Sequence, residues 1–124
     1  MACRDVTMTG TALAYNDDKT VWTFIPVTGP IPLRQMNEFR MQLELVDPNG
    51  ISVRRAYRAG NQETSWQSPV TVGSATTTVG WNYNTAYTTA PNNYRLIQFG
   101  IEVLSGEALM NGCQINLVVE ARVQ

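Results

Sequence analysis

A chain of 124 residues with 44% hydrophobic and 15% charged residues and a net charge of −1 has the size of one domain, spanning 1–124, and is too apolar to be disordered. Its nine basic residues form no massed run, so there is no electrostatic footprint for nucleic acid, and no apolar stretch approaches the length of a membrane-spanning helix. The absence of histidine removes the commonest general base and metal ligand, and with it any Ser–His–Asp or Cys–His triad within the chain.

In chain order, Met1-Ala2-Cys3-Arg4-Asp5 lacks the apolar core of a signal peptide. A strand follows near 5–15, then Asn16-Asp17-Asp18 as a turn and a second strand near 20–27. There Trp22 and Phe24 alternate with Val21, Thr23 and Ile25, so one of the two sets faces the core, and Trp22 reads as packed. Gly29-Pro30-Ile31-Pro32 interrupts the chain, because its prolines remove ladder donors. The stretch 33–40 allows at most one short turn of helix. Strands are then expected near 38–46 and 51–59, separated by Asp47-Pro48-Asn49-Gly50, the strongest turn signal in the chain. A three-residue loop there pairs Asp47 with Ile51, Leu45 with Val53, Met41 with Tyr57 and Glu44 with Arg54, which keeps apolar groups on one face and opposite charges on the other. Arg54 and Arg58 share a face of that strand while Arg55 points the other way; the first two read as a solvent-facing pair.

Trp66 sits in a polar loop over 61–69, and strands near 69–73 and 75–81 follow. The segment 81–94 then carries four aromatic rings, four Asn and three Thr with no charge. Stiff amphipathic rings beside adaptable hydrogen-bonding groups are the composition of binding loops. Taken as a loop over 82–93, it is near the long limit for an ordered connection. The last strands are expected near 94–104, where Ile97, Phe99, Ile101 and Val103 alternate, and 113–123, where only Val118 breaks the period.

About eight short strands with turn signals between them make an all-β fold, an antiparallel β-sandwich of jelly-roll or immunoglobulin-like topology. Chemistry finds little support. Glu38, Glu44, Glu63, Glu102, Glu107 and Glu120 are glycosidase candidates by residue type only. Asn16-Asp17-Asp18 and Asp47-Pro48-Asn49 are oxygen-rich but do not resemble a calcium loop. No phosphate-binding glycine motif occurs. Cys3 and Cys113 are not in a metal-binding pair; they read better as small buried apolar residues than as a disulfide. The expectation is therefore a chain that is not an enzyme and carries no metal or cofactor. It is a structural subunit of a capsid, appendage or other particle, acting by self-association or contact with another protein. The alternative is a carbohydrate-binding module. In either reading the contact residues are Trp66, Trp81, Tyr83, Tyr87, Asn92 and Tyr94. Low charge carried by Thr, Asn, Ser and Gln points to an extracellular or particle-associated setting.

Overall fold

The period of two governs the fold. A computed structural model describes residues 4–14, 22–46, 52–104 and 113–123. Among these lie eleven strands: β1 (Arg4–Ala14), β2 (Thr23–Pro26), β3 (Ile31–Pro32), β4 (Met36–Leu45), β5 (Ser52–Gln62), β6 (Ser65–Trp66), β7 (Val70–Thr76), β8 (Gly80–Asn82), β9 (Thr88–Thr89), β10 (Leu96–Leu104) and β11 (Cys113–Val123). They form two antiparallel sheets. Sheet A has the order β1-β11-β4-β8, with β9 also on β4. Sheet B has the order β2-β10-β5-β6, with β3 on β10 and β7 on β5.

Alternation sorts the side chains between the core and the outside. On sheet A, Ile115, Leu117, Val119 and Ala121 of β11 stand opposite Leu45, Leu43, Met41 and Phe39 of β4, and all eight are buried. On sheet B, Ile97, Phe99 and Val103 of β10 stand opposite Ala59, Tyr57 and Val53 of β5. The two inner faces meet as one core, as packed sheets do. Phe39 sits at its centre, edge-on to Tyr57 (centroids 5.2 Å apart) and Phe99 (4.9 Å). Gly100 is required where the chain crowds on the other side of β10. A Cβ there would collide with the carbonyl oxygen of Ile25 and press on the Phe24 ring.

Several sequence expectations need correction. The hairpin over 38–59 does not form, because β4 belongs to sheet A and β5 to sheet B. Leu45 and Val53 are both buried in the core, but they belong to different sheets and share no ladder. Glu44 bonds Asn116 (2.7 Å), and Arg54 pairs with Glu102 (3.3 Å). Alternating patterns specify which face of a strand is buried; they do not distinguish pairing beside a strand from packing over it. The turn at 47–50 itself lies outside the described residues. The short turn allowed within 33–40 is a tight one: Met36 N–H donates to the Leu33 carbonyl (3.0 Å) and Gln35 takes a left-handed φ of 71°. The expected loop over 82–93 is interrupted by β9, which pairs with Glu38 and Phe39. The short pieces β3, β6 and β9, of two residues each, are too brief to show a period.

Candidate functional site

The outer face of sheet A carries the candidate site. Its even-numbered positions pair across β4 and β11: Arg40 lies opposite Glu120 and Glu38 opposite Arg122. Arg40 grips Glu120 with two donors, Nε at 3.3 Å and Nη2 at 3.0 Å. Arg122 Nη1 reaches Glu38 at 2.8 Å. The hydrogen bond from Arg40 holds the Glu120 carboxyl below its ordinary range, and the same contact raises the guanidinium of Arg40.

Above this lattice lies the segment that leaves the sheet after β8. Leu43 is opposite Asn82 in the ladder, but β8 ends there, and backbone groups that would have continued the pairing need other partners. Side chains supply them. Gln42 Oε1 accepts from Asn84 N–H (2.6 Å) while Gln42 Nε2 donates to the Asn84 carbonyl (2.9 Å) and to Glu120 (3.4 Å). From the opposite sheet, Arg55 Nε donates to the Met41 carbonyl (2.7 Å) and its Nη2 to the Asn82 carbonyl. The guanidinium thus fills the place where β8 peels from β4. Arg55 is only 5% exposed, and no carboxylate among the described residues pairs with it; burial lowers its pKa.

Strand β8 and its flanks present large side chains to solvent. Val79, Trp81 and Tyr83, at alternate positions, are 62%, 40% and 73% exposed. The rings of Trp81 and Tyr83 lie nearly parallel, 19° between planes and 6.2 Å between centroids. A hollow of about 250 Å³ beside them is lined by Gln42, Trp81, Tyr83, Val118 and Glu120. Tyr87 continues the surface as a clamped ring, with the guanidinium carbons of Arg122 and Arg40 at 4.0 and 4.8 Å from its centroid.

The six residues expected from sequence do not form one cluster. Trp81, Tyr83 and Tyr87 come together on sheet A through Arg40, Gln42 and Glu120. Trp66 is on the far sheet, half-buried; its Nε1–H donates to the Glu63 carbonyl (2.8 Å) and Arg58 lies 4.8 Å from its ring. Arg58 also meets Phe24 (5.0 Å) and Gln98 (2.8 Å), and burial lowers its pKa. Trp22 is packed as expected, but against Arg54 (3.9 Å) on the outside of sheet B and not in the core. Ile25, not Trp22 or Phe24, packs against the core. Tyr94 leans on the core and borders a separate open hollow with Pro32, Arg34, Arg95 and Leu96. Asn92 is exposed in the same approach to β10.

Sequence reasoning missed Arg40, Gln42, Glu120 and Arg122 as parts of the site, since each reads as an ordinary outward residue of a half-buried strand. Arg55 did leave a signal. It occupies the apolar phase of Val53, Tyr57 and Ala59, where a charge has to be accounted for. Among the described residues no three or more Cys, Asp or Glu converge as a metal site, and none forms a helix long and apolar enough to cross a membrane. Comparison with protein-family models, curated proteins and solved structures finds no match in any of the three.

Proposed function

We propose that the chain is a non-catalytic assembly subunit that associates with further copies of itself through the Val79–Trp81–Tyr83 face. The observation that carries this reading is the exposure of three large apolar side chains at alternate positions around a sheet-edge strand, β8. Clustered apolar surface and open strand edges are features of association sites, and Trp and Tyr are frequent hot spots. The flanking pairs Arg40–Glu120 and Arg122–Glu38 carry both signs, so the patch can meet its own copy about a two-fold axis without net repulsion.

The strand order supports the jelly-roll reading of the sandwich over the immunoglobulin-like one. Short strands that lie along the same neighbour (β2 with β3, β6 with β7, β8 with β9) count as one lane each. The first lane then pairs with the last, the second with the seventh, the third with the sixth and the fourth with the fifth. That is one long hairpin rolled into two sheets. Jelly rolls serve capsid and lectin domains alike, so the topology leaves the choice of function to the site.

A carbohydrate-binding reading is favoured by the Tyr83 and Trp81 faces beside Gln42 and Glu120. It ranks second because those polar groups are already engaged. Gln42 is spent on Asn84 and Glu120, and Glu120 on Arg40. A sugar hydroxyl would have to displace these bonds to gain equivalent ones. Light scattering across a concentration series separates the readings. Self-association that disappears in W81A/Y83A supports assembly, whereas a monomer whose tryptophan fluorescence is quenched by glycans supports the second.

A further inference from the structure

We infer that the groove above Arg55 is a binding site for a carboxylate. The groove is about 360 Å³ and is bordered by Gly73, Ser74, Thr76, Asn82 and Asn84 as well as Arg55. It opens where sheet B, at β7, faces sheet A, at β8. Among the described residues none that lines it is acidic, and the cation at its floor is nine-tenths buried, with hydrogen bonds there only to the neutral carbonyls of Met41 and Asn82. A buried charge without a counterion is costly, and it ordinarily has a partner.

Two donor nitrogens face that partner. Arg55 uses Nε and Nη2, which leaves Nη1. Asn84 directs its Oδ1 to the Ala86 N–H (3.1 Å), which turns its Nδ2 the opposite way. Both nitrogens converge over Gly73: from the position a Cβ would take there, Nη1 is 3.8 Å away and Nδ2 3.9 Å. Gly73 has a φ of 79°, a conformation that favours glycine, and its missing side chain leaves that space open. One cation with one amide suits the single charge and two oxygens of a carboxylate, as charge-assisted pairs do. The groove also has room for a body the size of one sugar ring or terminal residue, with the Ser74 and Thr76 hydroxyls on its wall.

The test is titration of the unaltered chain with galacturonate and its uncharged methyl ester, and with a tripeptide bearing a free or an amidated C-terminus. The readouts are nitrogen-15 signals of Arg55 Nε–H and the Asn84 side-chain amide, with affinity by calorimetry. At least one acid is expected to move both signals saturably and to bind about tenfold or more tightly than its neutral form. Which acid does so distinguishes an acidic sugar from a chain terminus. Asn84→Asp keeps the acceptor for Ala86 but places a carboxylate beside Nη1. It is expected to abolish acid binding and to raise the melting temperature in low salt. Acids and neutral forms that bind alike, no movement of either signal with any ligand, or full acid affinity in Asn84→Asp would overturn the assignment.

Discussion

Replacing Arg55 by Met tests whether the two sheets are joined where β8 leaves β4. Methionine keeps the apolar stem and removes the donors. The buried carbonyl of Met41 and the partly buried one of Asn82 then lose their partner. Hydrogen bonds from a charged donor contribute about 1.5–3 kcal/mol each, so the gross loss is about 3–6 kcal/mol. Removing a buried cation that pairs with no carboxylate among the described residues returns part of this. The net loss should be about 2 kcal/mol, which at a slope of about 2 kcal/mol per molar lowers the urea midpoint by about 1 M with the slope unchanged. Arg55→Lys should recover little, because one ammonium does not span both carbonyls. A midpoint for Arg55→Met equal to or above that of the parent would refute the reasoning: burial of the cation would then cost more than the two carbonyls return.

Three further outcomes follow from the same geometry. Gly100→Ala places a Cβ against the Ile25 carbonyl and should destabilise the chain by about 2 kcal/mol or more, read as a lower urea midpoint. Glu120 has a folded pKa below its unfolded value, so its contribution is present above the ordinary carboxyl range and is lost as pH falls through the lowered value; Glu120→Gln should lower the melting temperature slightly at neutral pH and converge with the parent in acid, flattening that limb of the profile. Cys113 stands opposite Ala14 at one end of β1, while Arg4, next to Cys3 in sequence, stands opposite Val123 at the other. Ten residues of strand, about 33 Å, separate Arg4 from Ala14, more than a disulfide spans. Thiol titration of the denatured, unreduced monomer should therefore find both cysteines free; Cys3 itself lies outside the described residues.

The inner faces of β4, β10 and β11 were legible from sequence because each pattern runs long enough to establish a period of two. The mate of each strand was not. Asp47-Pro48-Asn49-Gly50 gave an internally consistent register for a hairpin, yet β4 pairs with β11, some seventy residues later. Local turn chemistry carries no information about such distant partners. The site was legible as composition: Trp81, Tyr83 and Tyr87 do share a surface. Trp66 was grouped with them by residue type and Tyr94 by lying in the same segment, and the fold carries both elsewhere. The polar residues that hold the surface in place, Gln42 and Arg55 above all, act by reaching across strands and between sheets, which no linear spacing reports.

Self-association through the β8 face is tested most directly by light scattering on size-exclusion fractions of the parent chain and of W81A/Y83A, over a wide concentration range. The mass of the parent should rise above that of a 13.8 kDa monomer as concentration increases, while the variant stays monomeric with an unchanged melting temperature. A parent chain that is monomeric throughout, or a folded variant that assembles as well as the parent, would contradict it.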